Sequence, residues 1–316
     1  MLKTIIKRVL QIIPMLFIIS IISFALIKLA PGDPVNSFVT PDMNPDDVER
    51  IRQSLGLDQP IYVQYFIWLG NLLQGNLGYS IVNSQPVLQQ ILERIPATLG
   101  LVGTSLVLTL LLSIPLGLVA ANYENTWIDK VLNGISYIGI SIPIFWFGMI
   151  LIDVFSIQLG WLPSLGMRTI GVDSFWDMAE HAILPVITLT FQGCAAYYRY
   201  VRSNTINQLK EEYVLFGYAK GLSKVQIMGH HVLKNSLLPV ITLLGMSLPQ
   251  VITGAFITES IFSWPGMGSL GINAIFQLDY PVIMAITLFS ALLLIIGNLL
   301  ADLAYMIVDP RIREMG

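Results

Sequence analysis

Six long apolar runs without a single charge constrain this chain more than anything else in it: residues 9–27, 95–123, 131–152, 181–198, 235–258 and 280–301. A helix needs about 20 apolar residues to cross the hydrocarbon core of a bilayer. Each run meets that length once it extends slightly past its charge boundary, so six transmembrane helices are expected. The stretch 153–180 is a weaker seventh candidate, and its Gly160, Pro163, Gly166 and Gly171 favour a loop. With 54% hydrophobic and only 12% charged residues in 316, the composition is that of an all-α polytopic membrane protein.

The chain begins MLKTIIKRVLQ, a basic start ahead of the first run. That run is longer than a signal-peptide core, and the candidate cleavage point at Ala30 is flanked by Lys28 and Pro31. An uncleaved first span is therefore expected. If the N-terminus is inside, the inner segments hold Lys3, Lys7, Arg8, Lys130, Arg199, Arg202, Lys210, Lys220, Lys224, Lys234, Arg311 and Arg313. The outer ones hold only Lys28, Arg50, Arg52, Arg94 and Arg168. This asymmetry points to both termini being cytoplasmic.

The first outer segment, 31–94, is too long for a connector and should be a small helical subdomain. Asn44-Pro45-Asp46-Asp47 is a strong helix start, with Val48, Ile51 and Leu55 on one stripe and Gly56 as the stop. Residues 62–73 form a second candidate, whose Tyr62, Tyr65, Phe66 and Trp68 suit a membrane interface better than a ligand site. Residues 85–95 form a third, ended by Pro96.

Catalytic chemistry finds little footing. No G-x-x-x-x-G-K-[ST] loop occurs, so P-loop nucleotide binding is excluded, and neither G-x-S-x-G nor H-E-x-x-H is present. One cysteine, Cys194, excludes an intrachain disulfide, and His181, His230 and His231 have no metal-ligand spacing. Not an enzyme, without a resident metal or cofactor: that is the expectation. Asp153 closes the third run at its outer end, an interfacial position. Asn298, Asp302, Tyr305 and Asp309 follow in steps of four, three and four, one polar helix face that should look into the bundle and hydrogen-bond across helices. The absence of charges from the runs themselves argues against a solitary ion-coupled carrier.

The stretch 203–235 is different: polar, basic and still helix-patterned. Ile206, Leu209, Tyr213 and Phe216 predict one amphipathic helix; Val225, Met228 and Val232 predict a second short stripe. Its residues alone leave two readings open, a helix lying on anionic lipid or a docking helix for a soluble partner.

The run YVLFGYAKGLSKVQIMGHHVLKNSLLPVIT at 213–242 resembles the coupling loop of bacterial ABC importer permeases, most closely the dipeptide/oligopeptide/nickel branch. APGDP (30–34), LGLDQPIYVQY (55–65), GNLGYS (75–80), RIPATLGL (94–101), TESIFSWPGMG (258–268), LDYPV (278–282), NLLADLAY (298–305) and DPR (309–311) extend the resemblance over nearly the whole chain. One departure stands out. The broad permease motif begins Glu-Ala-Ala six residues ahead of its glycine, where this chain has Leu215, Phe216 and Gly217.

The resemblance implies a type I importer permease bundle. Its first helix would span 1–30, its extracytoplasmic insertion 31–94, its five-helix core 95–308 and its cytoplasmic tail 309–316. It implies a subunit of the bacterial plasma membrane that imports oligopeptides or dipeptides, with nickel or another small solute as the alternative cargo; apart from the resemblance, a solitary secondary carrier is the remoter alternative function. The implied partners are membrane lipid, a second related permease, two ATPase subunits that bind ATP and Mg, and an extracytoplasmic peptide-binding protein, but no nucleic acid. Glu212, Tyr213, Phe216, Gly217, Ala219, Lys220, Gly221 and Leu222 are the implied ATPase-coupling residues.

Overall fold

The computed structural model describes residues 2–29, 35, 43–54, 56–237, 240, 241, 243–245, 247 and 255–308, with side chains at all of these except 2–11, 13, 26, 27, 54 and 301–308. Among them the chain is helical without a strand. In order come α1 (Leu2–Leu29), α2 (Pro45–Ser54), α3 (Ile61–Leu73), α4 (Val87–Asn122), α5 (Trp127–Ser141) and α6 (Ile144–Leu151), which a π-helical turn Ile152–Gln158 prolongs. Then follow α7 (Phe175–Leu209), α8 (Glu212–Ala219), α9 (Lys224–Gln226), a π-helical turn Ile227–Val232 and α10 (Leu233–Ser236). The chain closes with α11 (Phe256–Ile261), α12 (Met267–Phe276) and α13 (Tyr280–Val308). By length and composition Val87–Asn122 and Tyr280–Leu300 can each cross a membrane, and α5 with α6 supplies a third if the bent pair is one span. Of the expected span 235–258, residues 238, 239, 242, 246 and 248–254 lie outside the described residues.

Four expectations change. Pro96 does not end a helix: α4 starts at Val87 and runs through both Pro96 and Pro115 to Asn122. Proline removes one ladder bond, and helix packing in apolar surroundings holds the rest. The run 131–152 is not one straight helix either. It breaks at Ile142–Pro143, where α5 and α6 meet at 100°. Past that break the helix continues through Asp153 into the π-helical turn, so the run's expected end at 152 is not an end. Finally, the stripe Ile206–Phe216 does not lie on one helix, because the helix is interrupted at Lys210–Glu211 between α7 and α8.

The bundle is held by small residues and paired motifs. A Cβ on Gly117 would stand 2.7 Å from the Val201 side chain, and one on Gly193 2.8 Å from Thr109 Oγ1, so α4 and α7 touch nearly backbone to backbone. At the end of α4 near its start, RIPATLGL meets TESIFSWPGMG. The fully buried Glu259 carboxylate accepts from Thr98 Oγ1 at 3.0 Å and from the backbone N–H groups of Gly268 and Ser269 at 2.7 and 3.1 Å. Thr98 Oγ1 in turn accepts from Met267 N, and Trp264 Nε1 donates to the Ala97 carbonyl. GNLGYS meets LDYPV in the same way: Ser80 Oγ donates to Asp279, and so does Ile81 N. Within the 31–94 segment, α2 and α3 form where expected. Tyr65 is buried against Phe24 of α1 and hydrogen-bonds Ser20, while Tyr62 and Phe66 stay exposed.

Candidate functional site

The segment after α7 is a small unit with its own core. Val214, Ile227 and Val232 are buried together, and Leu209, Tyr213, Leu222 and Met228 pack around them. The π-helical turn makes this possible. An i→i+5 turn sets Ile227 and Val232 on one side, whereas Val225, expected on that stripe, is 81% exposed. Ser223 and Gln226 form a reciprocal capping box that starts this second arm.

Within α8 the residues divide cleanly. Val214 and Gly217, three apart, face inward; a Cβ on Gly217 would stand 3.2 Å from the Ile227 side chain. Leu215 (73% exposed), Phe216 (65%) and Tyr218 face outward. Glu212, Ala219 and Lys220 are also exposed. Tyr213 is half-buried and donates from its hydroxyl to Gln208 at 2.9 Å. Gly221 ends the helix with φ +79, its N–H donating to Tyr218 O, while Leu222 N donates to Gly217 O. This is the left-handed cap that favours glycine, and Leu222 closes it by entering the small core. The coupling set from the sequence is thus together on one short helix and its cap, with Gly217 and Leu222 turned inward. Leu215 and Tyr218 were not in that set. The helical period could have found them, since fixing 214 and 217 as the inner pair leaves 215, 216, 218 and 219 outside.

One ion pair ties α7, which leads into this unit, to α5, and a cleft lies at the far end of α5. Arg202, two turns before the end of α7, makes a bidentate ion pair with Asp129 in the first turn of α5, Nε to Oδ1 at 2.6 Å and Nη2 to Oδ2 at 2.7 Å. Asn125 N and Asn133 Nδ2 donate to the same carboxylate. At the other end of α5, the break leaves an open cleft of about 590 Å³ lined by Tyr137, Ile138, Ser141, Pro143, Phe145 and Trp146. Of the polar stripe, Asn298 is exposed on α13; the side chains of Asp302 and Tyr305, and Asp309 as a whole, lie outside the described residues.

Residues 113–314 match the family described as the inner membrane component of binding-protein-dependent transport systems, and residues 1–102 match its N-terminal part. The chain belongs to that family. Its permease character is shared along the full length with curated relatives. It is 44% identical over 310 residues to an oligopeptide transport system permease, AppB of Bacillus subtilis, covering 98% of both chains. It is 38% identical over 313 residues to the glutathione transport system permease GsiC of Escherichia coli K12, covering 99% of both. An inward-facing structure of the MetNI methionine ABC transporter matches with a TM-score of 0.57 at 15% identity, over 70% of this permease and 97% of that chain. That likeness carries the fold alone. This permease is a membrane transport component of the ABC importer class, a class that works with further permease, ATPase and binding-protein subunits.

Proposed function

We propose that this permease is one half of the translocation pathway of an ATP-driven peptide importer, paired with a second, related permease. Two ATPase subunits would drive it, and an extracytoplasmic peptide-binding protein would deliver the cargo. The carrying observation is α8: a short helix outside the apolar runs, fixed from behind by Val214, Ile227 and Val232, with Leu215, Phe216 and Tyr218 offered outward. Apolar anchors on a rigid helix are what a groove on a soluble partner takes up. That face, with Glu212, Ala219 and Lys220 at its edges and the Gly221 turn beside it, is the ATPase-docking surface; Gly217 and Leu222 hold it in shape from inside. The excess of Lys and Arg in the segment carrying α8 and near both termini supports their cytoplasmic placement.

Peptides are the favoured cargo because the named cargoes of both relatives, oligopeptides and glutathione, are peptides. The cleft at the helix break suits the pathway. Pro143 has no N–H for the Gly139 carbonyl, and α6 begins its ladder only with Phe147 N to Pro143 O. Backbone freed from a helix midway through an apolar run cannot face lipid and must line water or protein. Affinity purification of the tagged chain from its native membrane tests the reading. Recovery with an ATPase and a second permease is expected, together with loss of labelled di-, tri- or longer peptide uptake in a deletion strain. Recovery of the chain alone, with peptide uptake intact in the deletion strain, would refute it.

A further inference from the structure

The contacts between α5 and α7 carry an inference that rests on the coupling role of α8 and goes beyond it. Helix α5 turns one face, Asp129, Ser136 and Gly139, onto α7. The Arg202 guanidinium grips the buried Asp129 carboxylate by both oxygens. About two and three turns further on, Ser136 Oγ donates to the Ala195 carbonyl at 2.9 Å, and a Cβ on Gly139 would stand 2.8 Å from the Ala195 side chain. Thus α5 is fastened to α7 from its first turn to three residues short of the break at Ile142–Pro143. The same α7 runs on to Leu209 and passes into α8 through only Lys210 and Glu211.

A partly buried ion pair adds little net stability, because desolvating both charges offsets their attraction. What a two-pronged guanidinium–carboxylate pair does supply is fixed orientation. The Asp129 carboxylate also accepts from Asn125 N in the turn after α4, so three segments are held at one point. We propose that Asp129 and Arg202 are positioning residues for transport: a rigid joint through which displacement of α8 carries α5 with α7. The motion would then be delivered to the helix break and its cleft. Neither residue need touch cargo or ATPase.

Two measurements on the assembled importer in lipid nanodiscs or proteoliposomes decide this. The first keeps the pair intact. Spin labels at Val131→Cys and Asn207→Cys in a Cys194→Ser background, both at exposed positions, should give one narrow distance, unchanged between nucleotide-free and ATP-bound states. A shift of several ångströms between the two states would overturn the joint. The second compares peptide import per ATP hydrolysed. Asp129→Asn, and Arg202→Lys, which keeps the charge but loses the fork, should hydrolyse ATP freely while import per ATP falls about 5- to 150-fold, the usual size of one lost coupling. Unchanged import per ATP in both variants would overturn the proposal. So would variants that merely lose assembled complex while the label distance shifts on ATP. If the unaltered complex hydrolyses ATP but imports no peptide, the cargo reading fails and the label distance alone decides the joint.

Discussion

Thr98 and Glu259, 161 residues apart in sequence, share a hydrogen bond of 3.0 Å with both side chains fully buried. The carboxylate also accepts the N–H groups of Gly268 and Ser269, and so caps the first turn of α12 from outside it. A charged group here makes physical sense as a knot: it ties the start of α4 to the α11–α12 hairpin and leaves no freed donor at that helix end.

Removing the knot should weaken the fold. Glu259→Ala strands the two amide donors and the Thr98 hydroxyl, at a cost of about 1–3 kcal/mol for each buried group left unsatisfied. Thermal unfolding of the detergent-purified chain should show a clear loss for Glu259→Ala and a smaller one for Thr98→Ala. Equal stability of all three proteins would contradict the role.

The small core behind α8 depends on close approach of Gly217 to Ile227. Gly217→Val should push α8 outward and lower import, and adding Ile227→Ala should restore part of it. A double-mutant cycle on import rate should therefore show coupling between the two sites of about 0.5–3 kcal/mol.

Gly221 separates backbone demand from surface bulk, since a Cβ there meets nothing within 4 Å while its φ is +79. Gly221→Asn should be tolerated, because asparagine enters the left-handed region more readily than other side chains. Gly221→Ala should cost about 1 kcal/mol of cap stability, and Gly221→Trp should uncouple ATP hydrolysis from import besides. Normal substrate uptake by the Trp variant would contradict the docking assignment.

At the helix break, Ser141→Cys in a Cys194→Ser background should react with a membrane-impermeant thiol reagent in the assembled importer, and peptide cargo should slow the reaction. No labelling at all would place the break against lipid or the second permease instead.

Much of this was legible in the residues. The start of α2 at Pro45, the helix over 62–73 and the position of the polar unit after α7 follow from capping chemistry and hydropathy that act locally. What was not legible depends on distant partners. Pro96 reads as a stop, yet α4 passes through it because α7, α11 and α12 pack along the helix. The Ile142–Pro143 break was hidden in an unbroken apolar run, since hydropathy does not register direction. The stripe at 206–216 has the right period but bridges the interruption between α7 and α8, and a π-helical turn moved Val225 out of the core in favour of Ile227 and Val232. Arg202 counts in the sequence only as one inner basic residue, and Asp129 carries no signal of its own; only the fold shows them gripping one another.

The outward face of α8 offers the most direct test of the central claim. In proteoliposomes holding the assembled importer, uptake of a labelled tripeptide supplied with its binding protein should require ATP on the α8 side. Leu215→Asp and Phe216→Asp, at exposed positions where folding stability should change by no more than about 0.5 kcal/mol, should abolish uptake and release the ATPase. Full ATP-driven uptake by both variants, or uptake that an ion gradient alone sustains, would contradict it.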